Sequence, residues 1–300
     1  MDNKDIGGEI WLPLSKKTAG CGLWQTNSRQ IQGNEIMVDF SKIASSYEKN
    51  SLVQKTAAET LLHLLKIREN DNVLDLGCGV GNLTKKIREI SKGKVVGIDP
   101  SDKMISEAKS RQFDITFEVK SAETMDYHNR FEVIFCNSAF QWLKDPQKAL
   151  KNCLNALRKN GRIGIQAPAK KLYCLNFIEA IEAVKDDPQT KSIFAHFREP
   201  WIFLETADEY SHLFESAGFK VSFATIETIS TKHTPEEVFD IFSSGAIAGY
   251  LNPEFYDREL PDDYESNFKM IVRDVFEKQA DSTNNVDLIF NRIYLVAEKG

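Results

Sequence analysis

The chain predicts an α/β fold: a doubly wound, seven-stranded, mostly parallel sheet whose terminal strand runs antiparallel, with helical cover insertions. Three observations predict it. Short apolar runs alternate with segments of helical period between residues 73 and 166, a glycine-rich turn follows the first run, and two longer runs, 219–229 and 288–297, come late in the chain. Strands alternating with helices require parallel pairing, with crossover helices on both faces of the sheet.

Composition narrows the function classes. Three hundred residues that are 42% hydrophobic and 27% charged supply a sizeable core and at most two domains. Thirty-eight Lys and Arg against 44 Asp and Glu leave a net charge of −6, so there is no broad positive field to hold a polyanion. Nucleic acid is therefore not expected as the principal partner. No segment approaches the ~18 continuous apolar residues that span a bilayer, and the first 36 residues hold no signal-like apolar run. Five cysteines, at 21, 78, 136, 153 and 174, are odd in number and form no C-x-x-C pair. The expectation is a reducing cytoplasm, with neither a disulfide framework nor a metal cluster.

Residues 1–36, punctuated by Gly7, Gly8, Gly20, Gly22 and Gly33 without a sustained period, read as a mobile arm. A cofactor-binding core with an N-terminal helix is expected over 37–167. There Leu52, Val53, Ala57, Leu61, Leu64 and Leu65 share one helical face. Residues 73–76 form a buried strand, Leu83, Ile87 and Ile90 step along a helix, and 95–98 form the next strand. Ser101 caps a helix through Met104, Ile105 and Ala108, and 115–119 and 131–136 are further strands. Leu150, Cys153, Leu154 and Leu157 mark a helix predicted to stop near Asn160 and Gly161, before a strand over 162–166.

Past Pro168 the rhythm breaks. A cover insertion is expected over 168–205, with a helix over 172–184 and an aromatic stretch through Trp201. Residues 206–234 return to the core, where Thr206 and Glu209 form a capping box for a helix that Gly218 ends, followed by the strand 219–229. Thr234, Pro235 and Glu237 open a second helical insertion over 235–281. The remainder, 282–300, carries a terminal strand expected at the sheet edge beside 219–229.

The turn after the first strand carries the chemistry. Gly77 opens a poor dinucleotide fingerprint, because the last position of G-x-G-x-x-G/A falls on Asn82. What is present is D-x-G-x-G-x-G, formed by Asp75, Gly77, Gly79 and Gly81, with Asp99 ending the second strand. This pair resembles the class I S-adenosylmethionine-dependent methyltransferases, a Rossmann-like family. The resemblance covers about 40–230 and the final strand, and implies the strand order 3-2-1-4-5-7-6. It also implies S-adenosylmethionine as cofactor and S-adenosylhomocysteine as product. The backbone of Gly77, Cys78, Gly79 and Gly81 would lie against the methionyl and ribose parts, and Asp99 would accept from both ribose hydroxyls. Pro100 and Met104 would border the adenine, Ala122 and Glu123 would read its edge, and Asn137 and Ser138 would line the site from the fourth strand. Tyr47 and Asn50 would complete the cofactor pocket.

Two further segments, 46–54 and 137–143, resemble the small-molecule carboxyl methyltransferases of the salicylate, juvenile hormone acid, malonyl-carrier-protein and trans-aconitate types. That likeness implies that Gln54 and Trp142 donate hydrogen bonds to an acceptor carboxylate, with Gln141 beside them. Neutral donors orient a carboxylate while leaving its oxygen nucleophilic. None of His63, His128, His196, His212 and His233 falls in these motifs, so no general base is assigned, and a carboxylate acceptor needs none. The expected activity is therefore methyl transfer to a small or carrier-bound acid. A carbon- or nitrogen-directed methyltransferase is the alternative enzyme, and a non-catalytic cofactor-binding module the alternative of another class.

Overall fold

Apolar runs without a polar face need cover on both sides, and the computed structural model, which describes residues 52–111 and 114–300, places them accordingly. Strands β1 (Val73–Leu76) and β2 (Val95–Asp99) are buried at every residue. β1 pairs in parallel with β2 and with β4 (Phe131–Asn137), β2 with β3 (Thr116–Val119), and β4 with β5 (Leu157–Pro168). β7 (Val286–Glu298) lies antiparallel between β5 and β6 (Lys220–His233), so the order is β3-β2-β1-β4-β5-β7-β6.

Alternation along the strands divides the apolar side chains between two faces. Val73, Val95, Val133 and Phe135 pack with Leu61 and Leu65 of α1 (Leu52–Leu65) and Ile87 of α2 (Asn82–Ile90). Leu74, Ile98, Ile134 and Cys136 pack on the other face with Leu150 of α4 (Pro146–Ala156) and Phe214 of α7 (Ala207–Ser216). Ser101 caps α3 (Asp102–Ser110), its hydroxyl accepting from Met104 N at 3.3 Å. Capping boxes open both α7, at Thr206 and Glu209, and α8 (Pro235–Ser244), at Thr234 and Glu237.

A second apolar core belongs to the late segments. Phe177 and Val184 of α5 (Leu175–Asp186), Phe194 of α6 (Lys191–Phe194), Phe242 of α8, Tyr250 of α9 (Ile247–Tyr250) and Phe268 and Phe276 of α10 (Tyr264–Lys278) cluster with Leu288 and Phe290 of β7. Among the described residues no helix is long and apolar enough to cross a membrane, and Cys78, Cys136, Cys153 and Cys174 are free and buried.

Three sequence expectations are corrected. The terminal strand is not the edge: β7 is buried along most of its length, whereas β6 is largely exposed and takes the edge. The helix expected to reach Asn160 ends at Ala156, because Leu157 already pairs with Phe131 and Asn160 takes a left-handed turn within β5. The strand expected over 162–166 accordingly runs from Leu157 to Pro168.

The contact of α1 with the sheet is tight enough to test. Leu61 is fully buried, and a Cβ placed on Gly164 of β5 would meet the side chains of Leu61 and Leu65 at 2.8–3.0 Å. Leu61→Ala is expected to lower stability by about 3 kcal/mol, read as a lower urea midpoint at unchanged slope.

Candidate active site

The strand order reverses between β1 and β4, and in open α/β sheets ligands bind outside the carboxyl ends of the strands at such a switch point. Here the chain leaves β1 through Gly77, Gly79 and Gly81, all with positive φ, and enters α2. A Cβ on Gly77 would lie 2.3 Å from the Cβ of Ala139, so the turn is pressed against the loop after β4. At Gly79, with φ of +53°, a Cβ would meet nothing within 4 Å among the described residues. Bare backbone there faces open space, as close approach by a ligand requires.

Asp99 fixes this turn. Its Oδ2 accepts from Gly79 N at 3.0 Å and its Oδ1 from Ser101 N at 2.9 Å. Each oxygen keeps a further lone pair. Burial raises the carboxyl pKa, against the opposing pull of these two amides. Asp75 sits below the turn, its Oδ2 accepting from Thr84 Oγ1 at 2.6 Å, which ties β1 to α2. Burial, reinforced by the charge of Asp99, pushes the Asp75 carboxyl up to about 7.

A cleft of about 780 Å³ opens beside the turn. Of the residues singled out in the sequence, Gly77, Gly79, Asp99, Pro100, Met104, Ala122, Glu123, Asn137, Ser138 and Trp142 line it. Glu123 Oε1 accepts from Lys144 N at 3.0 Å, joining the loops after β3 and β4. Asp75, Cys78 and Gly81 do not line the cleft: they shape the turn from beneath. Cys78 packs with Ile105, Ala108 and Phe117, and the Cβ position of Gly81 lies under the Phe117 ring. Tyr47, Asn50 and the arm 1–36 fall outside the described residues, and Gln54 falls in the first turn of α1.

A second cavity, of about 680 Å³, adjoins the first and shares Ser138 and Trp142 with it. Tyr173, Phe177, Trp201, Phe203 and Phe290 give it aromatic walls, and Trp142 meets Trp201 edge-on with ring centroids 5.3 Å apart. Gln141 also lines it, and its Nε2 donates one hydrogen bond to Ser138 O at 2.9 Å, so the amide holds the junction loop. Ser138 takes a positive φ of 54° at that junction. None of the residues described around this cavity is Asp, Glu, His or Lys, and burial raises the Tyr173 hydroxyl well above its usual range. His196 pairs with Asp257 and lines neither cavity.

One cavity residue escaped the sequence reading. Arg292 of β7 is only 2% exposed. Of the two orientations of the Gln166 amide, one satisfies every neighbour: its oxygen accepts from Arg292 Nη1 at 2.9 Å, and its nitrogen donates to Asn137 Oδ1 at 3.0 Å and Ser138 Oγ at 3.1 Å. The available signal is the one charged residue between Leu288 and Ala297, in a run that is apolar apart from the neighbouring Asn291.

A family model described as a methyltransferase domain matches residues 67–218. The malonyl-[acyl-carrier protein] O-methyltransferase of Bacillus cereus is 33% identical over 129 residues, covering 41% of this chain and 48% of that protein. The chain thus spans about half the length of this curated relative. Among solved structures, the YcgJ protein from Bacillus subtilis aligns with a TM-score of 0.54 at 14% identity, over 82% of this chain and 98% of that one. The [4+2]-cyclase SpnF aligns at 0.51 and 16% identity, over 82% and 81%.

The Asp75 carboxyl makes stability depend on pH. Its folded pKa of about 7 lies above the 3.8 of an unperturbed side chain, so the folded state keeps a proton that the unfolded chain releases. Stability should fall as pH rises from about 4 to 7 and then level off, by up to about 4 kcal/mol. Asp75→Asn keeps an acceptor for Thr84 and removes the titration. Its stability relative to the wild type should therefore improve between pH 4.5 and 7.5 in urea titrations. A pH-independent difference would show that the fold accommodates the ionised carboxylate.

Proposed function

The chain belongs to the class I S-adenosylmethionine-dependent methyltransferases, and on that premise we propose that it methylates the carboxylate oxygen of a small or carrier-bound acid held in the aromatic cavity. The observation that carries this reading is the pair of cavities joined at Ser138 and Trp142, the second furnished with a buried cation and none of the usual general bases among its described residues.

The first cleft fits the cofactor. The open face of Gly79 admits a ligand against bare backbone, the spare lone pairs of Asp99 suit two ribose hydroxyls, and Met104 and Leu143 offer apolar walls to an adenine. When bound, S-adenosylmethionine supplies an electrophilic methyl group on sulfur. The chain's own part is to align an acceptor at the Ser138–Trp142 neck and to keep water out. A carboxylate releases no proton in becoming an ester, so a cavity built from aromatic rings and donors is sufficient for it. Tyr47, Asn50 and Gln54 are assigned to the same two pockets from the motif likeness. The malonyl-carrier-protein enzymes among the relatives favour a carboxyl acceptor and leave a carrier-bound acid among the candidates. A cytoplasmic setting accords with four free, buried cysteines.

Incubation with labelled S-adenosylmethionine and a panel of fatty, aromatic and dicarboxylic acids, followed by mass spectrometry, should yield methyl esters. Methylation of amines or phenols alone would overturn the carboxylate reading. The activity with an acid should be nearly flat from pH 6 to 9, where an acceptor that needs deprotonation would show a steep rise.

Two variants separate the pockets. Asp99→Ala should weaken S-adenosylhomocysteine binding by about 100-fold or more in calorimetry, because the variant removes charged acceptors and releases the Gly79 amide. Trp142→Phe retains a ring in both walls and should leave that affinity nearly unchanged while lowering kcat/KM for the acid about tenfold. Equal ester formation by Trp142→Phe and wild type would remove the indole N–H from the acceptor site.

A further inference from the structure

Arg292 is a buried cation with no counter-ion among the described residues. Its guanidinium makes one hydrogen bond, to Gln166, lies 4.5 Å from the centroid of the Phe290 ring, and leaves Nε without a partner. Among the described residues no carboxylate comes within 4.0 Å of it. Glu227, opposite it in the β6–β7 ladder, is exposed and forms no ion pair with it. Burial pulls the Arg292 pKa down to about 10, which still leaves it charged at neutral pH.

Isolating a charge in this way destabilises the folded protein. The cost is offset where a ligand supplies the missing anion, and the side chain borders the cavity in which an acceptor would lie. Gln166 bonds both Arg292 and Ser138, so the cation stands one side chain away from the residue shared by the two cavities. From this geometry we infer that Arg292 anchors the carboxylate of the acceptor in a buried ion pair through one oxygen, leaving the other to the neutral donors and the methyl group. The inference rests on the carboxyl-acceptor reading and assigns to that site a residue that the motifs did not contain.

Two consequences follow for recognition. A single cation among aromatic walls selects an acid with one anionic group and an apolar body, because a second carboxylate would lie unpaired among Phe177, Phe203 and Phe290. The ester carries no charge, so the guanidinium that holds the acid loses its partner in the product. Acid should therefore bind more tightly than ester.

The probes are octanoate and benzoate with their methyl esters, titrated calorimetrically into the full chain saturated with S-adenosylhomocysteine, beside steady-state methylation of the same acids. In the wild type the acid is expected to bind at least tenfold more tightly than its ester. Arg292→Gln should raise KM for the acid by about 100-fold, as expected when one partner of a buried charge pair is truncated. It should also make acid and ester bind alike, with S-adenosylhomocysteine affinity unchanged. Arg292→Lys should recover part of the loss. Should Arg292→Gln fail to fold, Arg292→Lys and the acid–ester comparison in the wild type decide the matter. Ester formation with a KM indifferent to both substitutions, or equal binding of acid and ester by the wild type, overturns the anchor and leaves the carboxyl-acceptor reading standing. Arg292-dependent binding of acids that are never methylated supports the anchor and overturns that reading instead. Absence of both acid binding and ester formation overturns both.

Discussion

The carboxylate of Asp99, held between two backbone amides, is the constraint on which the first cleft depends. By accepting from Gly79 N and Ser101 N it fastens the glycine turn after β1 to the start of α3. Gly77, with no room for a Cβ against Ala139, fastens the same turn to the loop after β4. Loops from three strands are thus locked together before any ligand arrives, and a preorganised site loses less freedom on binding than a mobile one. The amides also offset part of the cost of burying Asp99 while leaving its outward lone pairs free. Asp75 and Thr84 repeat the device one layer deeper, where the carboxyl faces no cavity and serves the join between strand and helix.

The aromatic cavity is built differently. β6 and β7 continue their antiparallel pairing to His233 and Val286, beyond the part of β7 that pairs with β5, and Leu288 and Phe290 enter the second apolar core there. The aromatic cavity lies where the two cores meet: Ser138 and Trp142 come from the loop after β4, Phe177 and Trp201 from the cover, and Phe290 from β7. A wall of stacked and edge-on rings is stiff for its size, because each aromatic side chain has only two torsions to order and packs several neighbours at once.

Much of this arrangement could be read from the sequence, for reasons that differ from element to element. The parallel strands announced themselves as short apolar runs, and the helix starts at Ser101, Thr206 and Thr234 as local side-chain caps, because both signals are carried by neighbouring residues. The edge position was misread because strand alternation reports faces and not lateral neighbours: β7 alternates yet is covered by strands on both sides. The end of α4 was misplaced because Asn160 and Gly161 make a turn inside a strand as readily as after a helix. In the site, Gly77, Gly79 and Asp99 were recognisable by spacing, whereas Arg292 was not. Its significance depends on what lies across a cavity from it, and that involves residues more than a hundred positions away.

The matched family segment, 67–218, accounts for the donor cleft and stops before β6, α8 and β7. Phe290 and Arg292 therefore lie outside it, as does the part of the cavity contributed by residues 241–246. Likeness of fold is equally silent on the acceptor, since the same architecture at 16% identity includes a structure named for [4+2] cyclisation. What distinguishes this chain within the family must then be sought in the cavity's own chemistry. A fully buried arginine that no carboxylate among the described residues neutralises is costly to retain for packing alone, because an apolar side chain of similar volume would fill the space without desolvating a charge. Its placement in the aromatic cavity, connected to Ser138 through Gln166, makes the charge balance of an acceptor, on the proposed reading, the property that separates this cavity from the first cleft.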